Sequence, residues 1–369
     1  MFIAVRTGLE PATPCVTGMY SNQLNYRTID SCLFQLASAK IGRFFRLCNS
    51  SAKKNIKKVS FCRFLLPGKA GILYFYYPKN LYMKSLYRNM KSIGRICMTL
   101  LLTLVSVAVV KASTVDTLAV ESKAMNKKVD VTVVVPDNVK EGQRLPVVYL
   151  LHGYGGNHLD YISRTDVREF ADRLGLIVVM PDGDTSWYFD SPIDSTYRYE
   201  TFVSKELVSY VDGHYPTRAS WSGRAITGLS MGGHGALYLA MRHQDVFGAA
   251  GSMSGGVDFR PFPEKWDIKK RLGTLEEYPE NWNKNTVMAQ LHLLKGNNLQ
   301  LIFDCGTEDF FYEVNCKLHE ELAKLKIPHE FTSRPGNHNW DYWKRSLRDH
   351  LFFFSDYFNS NPKRLVTFF

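Results

Sequence analysis

Apolar and polar positions divide the chain into three stretches. Residues 1–89 hold no sustained period of 3.6 or 2, and basic clusters such as Lys53-Lys54-Asn55-Ile56-Lys57-Lys58 interrupt them. Met90-Lys91-Ser92-Ile93-Gly94-Arg95 is a short basic lead-in to Ile96–Val110, a run of 15 residues without charge that ends before Lys111-Ala112-Ser113. A spanning helix needs roughly 20 such residues. Basic start, short apolar stretch and small-residue end therefore read as an export signal, residues 90–112, leaving no membrane anchor once it is cut. Residues 1–89 read as a spurious or disordered N-terminal extension.

Beyond Ser113 short apolar runs alternate with helix-periodic ones. Val115–Ser122 and Lys128–Val135 predict two antiparallel edge strands. Leu145–Leu151 is continuously apolar, as in a strand buried on both faces. Thr165–Leu174 reads as a helix closed by Gly175, Leu176–Met180 as a strand, Phe202–Tyr210 as a helix and Ala225–Leu229 as a strand. Residues 230–242 follow as a helix, and Phe247–Met253 and Leu299–Phe303 as strands. Val314–Leu325, His329–Thr332 and Trp340–Phe358 complete a helix, strand, helix series. Such alternation implies an α/β architecture: a mostly parallel sheet with helices on both faces. Residues 255–298 break it, being rich in Pro, Trp, Asn and charge and too long for an ordinary connection. They read as a small insertion over the strand ends.

The net charge of +11 suggests a polyanion partner until it is divided. Residues 1–112 hold 17 Lys/Arg and 2 Asp/Glu, a net of +15; residues 113–369 hold the remaining 29 and 33, a net of −4. The larger part therefore offers nothing to a nucleic acid. It also retains only Cys305 and Cys316, which either pair or stay as buried thiols.

The candidate chemistry begins at Gly228-Leu229-Ser230-Met231-Gly232, a G-x-S-x-G motif between a strand (Arg224–Thr227) and a helix (Gly233–Ala240). Strand, sharp turn and helix make a nucleophile elbow that lifts the serine hydroxyl out of the sheet. A serine needs a base and the base an orienting acid, arranged along such chains as serine, acid, histidine. Asp309 sits in the loop after the Leu299–Phe303 strand and is the first candidate acid, with Asp304 and Glu308 as alternatives. His338 lies in the loop between the last strand and the last helix, from which an imidazole can return over the elbow. His292, His319 and His350 fall in helical patterns, and His152 reads as a loop brace. Oxyanion donors are expected from the backbone N–H groups of Met231, at the helix start, and Tyr154, in His152-Gly153-Tyr154-Gly155-Gly156. Trp187, in an aromatic loop after a strand end, is a candidate for lining the substrate pocket. Asp182-Gly183-Asp184 supplies too few oxygen ligands for Ca²⁺.

At Tyr149–Gly156, Val178–Gly183, Tyr199–Phe202, Gly228–Gly233 and Gly336–Trp343 the chain resembles the putative-esterase family of α/β-hydrolases. That family includes S-formylglutathione hydrolases, feruloyl and acetyl-xylan esterases, tributyrin esterases and mycolyltransferases. The resemblance runs from about residue 115 to 358 and implies the α/β-hydrolase fold over 113–369. It also implies Ser230 as nucleophile, Asp309 as acid and His338 as base. The expectation is an exported, periplasmic or secreted serine esterase that needs no cofactor. Its substrates would be small-molecule or glycan-linked esters, short-chain or aryl, selected by the aromatic residues of the insertion. An acyltransferase with the same triad and a non-catalytic glycan-binding module are the alternatives.

Overall fold

Eight strands make one sheet in the computed structural model, which describes residues 113–360 apart from 138 and 295–298, together with Ser92. The N-terminal extension and the signal segment lie outside the described residues. The strands are β1 (Thr114–Ser122), β2 (Lys127–Val135), β3 (Val147–Leu151), β4 (Ile177–Pro181), β5 (Arg224–Gly228), β6 (Ala249–Met253), β7 (Gln300–Gly306) and β8 (Glu330–Arg334). Their order across the sheet is β1-β2-β4-β3-β5-β6-β7-β8. Strand β2 runs antiparallel to both β1 and β4, and every pairing from β4 to β8 is parallel. The hairpin is therefore not a pair of edge strands. Of the two, β1 alone is an edge, because the buried Val131, Val133 and Val134 let β2 continue the sheet onto β4.

The helices named below are α1 (Asp160–Arg164), α2 (Val167–Leu174), α4 (Met231–Arg242), α5 (Ile268–Leu272), α6 (Pro279–Asn285), α7 (Tyr312–Lys324) and α8 (Trp340–Ser360). Between α2 and α4, Tyr199–Thr201, Phe202–Leu207 and Val208–His214 join as one continuous helix, α3, whose middle is π-helical. Gly175 closes α2 at φ 65°, and its N–H reaches the Ala171 carbonyl, the left-handed cap for which glycine is suited.

Alternation along β3 divides the core. Val147, Tyr149 and Leu151 join one cluster with α3, α4 and α7, while Val148 and Leu150 join the other with α1, α2 and α8. Each face of the sheet is thus covered, which is why β3 reads as an unbroken apolar run. The insertion reaches the strand-end loops and also packs more deeply than a cover would. Phe259, Ile268, Leu272, Trp282 and Val287 are buried in the first cluster, so it packs as a layer on α4. That extra layer leaves α4 buried nearly all round. Among the described residues no helix is long and apolar enough to cross a membrane. Cys305 and Cys316 are free thiols, the first buried in β7 and raised well above its ordinary pKa, mainly by burial.

The chain leaves β3 toward β4 on one side and returns to β5 on the other. The carboxyl ends of β3 and β5 therefore flank a topological switch point, where open α/β sheets bind ligands.

Candidate active site

Ser230 follows β5 at this switch point and holds φ 54°, ψ −116°, a conformation that costs on the order of 1–3 kcal/mol for a residue with a Cβ. The surroundings enforce it. The Ser230 N–H donates to the Met253 carbonyl at 2.9 Å, and its own carbonyl accepts from Gly256 at 3.2 Å and His234 at 3.1 Å. The turn also needs close backbone contact. A Cβ on Gly232 would lie 2.2 Å from the Leu151 carbonyl oxygen, so this position requires glycine for space. These packing demands account for the glycines that made the motif visible.

The raised hydroxyl meets His338: Ser230 Oγ is 2.9 Å from Nε2, and Nδ1 is 2.8 Å from Asp309 Oδ2. A carboxylate only accepts, so Nδ1 carries the hydrogen and Nε2 is left to accept from the serine hydroxyl. Asp309 is itself fixed, its Oδ1 taking the Phe311 N–H at 2.8 Å. The other acids are committed elsewhere. Glu308 accepts from Asn337, and Asp304 lies inside β7 and binds Ser346 and His350. Among the described residues His338 is the one ring bonded to Ser230.

The β3 loop arrives directly over the elbow, since a Cβ on Gly153 would sit 3.3 Å from Ser230 Cβ. Gly156 N–H closes a turn onto the Gly153 carbonyl at 3.0 Å, and this bond does not use the Tyr154 N–H. Met231 N–H opens α4 and is one of the groups a helix leaves without an internal partner. The Gly153 loop and the start of α4 thus both adjoin Ser230. His152 braces this loop: Nε2 accepts the Gly183 N–H at 2.7 Å and Nδ1 donates to the Gly153 carbonyl at 2.7 Å.

The walls were only partly foreseen. Trp187 is 1% exposed and packs against His234, Phe259 and Trp266, its Nε1–H reaching the Trp266 carbonyl. It supports the insertion from below, and its expected place in the pocket lining is corrected on that ground. The exposed ring surface belongs to Phe310, half-exposed, 4.2 Å from the His338 ring and stacked on Trp266 at 5.6 Å. Its signal in the sequence was its position next to Asp309. The insertion reaches the site through Trp266 and Asp267, both at left-handed φ, and Asp267 Oδ2 accepts from the Tyr154 hydroxyl at 2.9 Å.

The "Putative esterase" family matches residues 122–354. An acetyl esterase of Caldicellulosiruptor saccharolyticus is 26% identical over 219 residues, 56% of this chain and 82% of that protein. A diacylglycerol acyltransferase/mycolyltransferase of Mycobacterium leprae is 30% identical over 279 residues, 63% of this chain and 81% of that protein. The solved structure of a ferulic acid esterase superposes with a TM-score of 0.57 at 29% identity, covering 67% of this chain and 99% of that one. Elbow, sheet order and these likenesses agree: the chain belongs to the putative esterase family, and is a serine esterase of the α/β-hydrolase fold.

Proposed function

We propose that the protein is an exported serine carboxylic-ester hydrolase that works through an acyl-enzyme on short-chain acyl or aryl esters. The observation carrying this reading is the continuous Ser230–His338–Asp309 hydrogen-bond chain on a strained elbow. Ser230 Oγ attacks the ester carbonyl carbon as His338 Nε2 takes its proton, and Asp309 stabilises the imidazolium. The Tyr154 and Met231 amides hold the tetrahedral oxyanion. Collapse breaks the C–O bond to the alcohol, which leaves with the proton from His338. Water, deprotonated by the same imidazole, then releases the acid and restores Ser230.

Support for aryl and short acyl groups comes from the Trp266–Phe310 stack beside His338, an apolar wall next to Asp267. Export rests on the basic and apolar anatomy of residues 90–112. The test is a panel of nitrophenyl esters of increasing chain length with feruloyl and acetylated glycans, beside fluorophosphonate labelling of wild type and Ser230→Ala. Labelling that persists in Ser230→Ala refutes the nucleophile, and a preference for long chains refutes the substrate class. The 30% likeness to a mycolyltransferase favours one second reading, delivery of the acyl group to an alcohol. Product partitioning with added sugar alcohols decides between the two. Amino-terminal sequencing of protein recovered from outside the cytoplasm tests export, and a start ahead of residue 90 there refutes signal cleavage.

A further inference from the structure

Beneath the triad lies a second hydroxyl–imidazole–carboxylate chain. Thr227 Oγ1 is 2.8 Å from His350 Nδ1, and His350 Nε2 is 2.9 Å from Asp304 Oδ2. All three are fully or almost fully buried, beside the apolar cluster that α8 forms on the sheet. Because the carboxylate only accepts, Nε2 bears the hydrogen and Nδ1 accepts from the threonine hydroxyl. Asp304 Oδ1 takes the Ser346 hydroxyl at 2.6 Å, so the carboxylate is satisfied at both oxygens.

The chain crosses the sheet. Thr227 is on β5, Asp304 on β7, and β6 lies between them. A Cβ on Gly251 of β6 would stand 2.5 Å from His350 Nδ1, so the ring spans the two strands over a position that has no side chain. The bridged strands are those that carry the nucleophile and the acid. Thr227 precedes Ser230 by three residues, and Asp304 precedes Asp309 by five. The Asp304 carbonyl also accepts the N–H of Ser254, which follows the Met253 carbonyl that holds Ser230. Buried polar groups stabilise a fold no better than apolar residues of the same shape. A role in setting geometry gives this one a reason to be there.

We propose that His350 is a positioning residue for the reaction: by tying β5 to β7 it sets the separation of Ser230 and Asp309 that His338 must span. The inference rests on the triad reading above. A displacement of about 1 Å at a reacting group can cost on the order of 10²-fold in rate.

The experiment compares His350→Leu, which removes both bonds at similar volume, with His350→Gln, whose amide keeps one acceptor and one donor. Active sites are counted by fluorophosphonate titration, so that kcat refers to folded enzyme. His350→Leu is expected to lower kcat about 10²-fold with KM within about twofold, slowing fluorophosphonate labelling in parallel, and His350→Gln to recover most of the loss. If His350→Leu fails to fold, Thr227→Val releases the β5 end alone and is expected to lower kcat about tenfold. A lowered melting temperature with unchanged kcat per titrated site, in either variant, overturns the proposal. Failure of the triad reading is separately visible, as Ser230→Ala would then keep its activity whatever residue stands at 350.

Discussion

The two chains of hydroxyl, imidazole and carboxylate have nearly the same lengths, 2.9 and 2.8 Å above against 2.8 and 2.9 Å below. Their surroundings have little in common. Ser230 stands on a left-handed elbow at a loop, whereas Thr227 lies within a buried strand. The His338 side chain is 16% exposed and that of His350 is 0%. Ser230 begins a helix beyond the end of β5, while strand pairing consumes the backbone around Thr227. The comparison teaches that three aligned groups do not make a catalyst. A strained turn that offers the oxygen and a partly exposed imidazole separate the proposed catalytic chain from its sealed counterpart.

Exchanging the roles gives the largest expected effect. Ser230→Ala should lower kcat by about 10⁶-fold without loss of fold, and residual activity above a tenth would break the comparison at its first member. The acids come next: Asp309→Asn should cost about 10⁴ in kcat by mis-setting the imidazole tautomer. Asp304→Asn, which weakens the β7 end of the buried chain, should cost far less, about tenfold in kcat, together with about 1–3 kcal/mol of stability in urea unfolding. The opposite ranking would move the acid into β7. Smaller again is the wall. Trp266→Ala or Phe310→Ala should shift the preference between aryl and acetyl esters by about 1–3 kcal/mol in kcat/KM while leaving acetyl-ester turnover largely intact. An unchanged preference order would place the selecting surface elsewhere.

A third imidazole sharpens the contrast through pH. His234 is wholly buried, and burial, partly offset by the Asn285 and Trp187 carbonyls that face its two ring nitrogens, pushes its pKa down to about 4. The unfolded chain therefore takes up this proton first as pH falls. The stability His234 contributes is complete above about 6.5 and is lost progressively toward pH 4, by about 3 kcal/mol in all. Unfolding midpoints measured from pH 7 to 4 should show this slope, and His234→Gln should flatten it. An equal slope in both proteins would assign the loss to other groups.

The sheet was readable in the sequence because strands buried on both faces leave uninterrupted apolar runs, as at Val147–Leu151. The elbow was readable because close backbone packing at Gly232 tolerates no side chain. Asp309 could be preferred to Asp304 from distance past the strand alone. The structure strengthens the physical reason, since β7 runs on to Gly306 and holds Asp304 within the sheet. What could not be read depends on partners far apart in the chain. His350 meets residues 46 and 123 positions away, so in its own helix it looks like any packed imidazole. The insertion has no steady period, and its burial on α4 follows from tertiary packing alone. Trp187 misled for a related reason: an aromatic in a Gly/Asp-rich loop looks like a pocket wall until Trp266 and Phe259 are seen to cover it.

The antiparallel hairpin at one margin of the sheet also bears on how the molecule meets copies of itself. By running β2 onto β4 it leaves β1 outermost there, with β8 outermost at the far side. An unpaired strand margin invites another chain to add to it, and charged side chains discourage that. Asp116 and Glu121 lie along β1, and Glu330 and Arg334 stand at the two ends of the five-residue β8. Both margins thus carry the charges that discourage ribbon-like self-association.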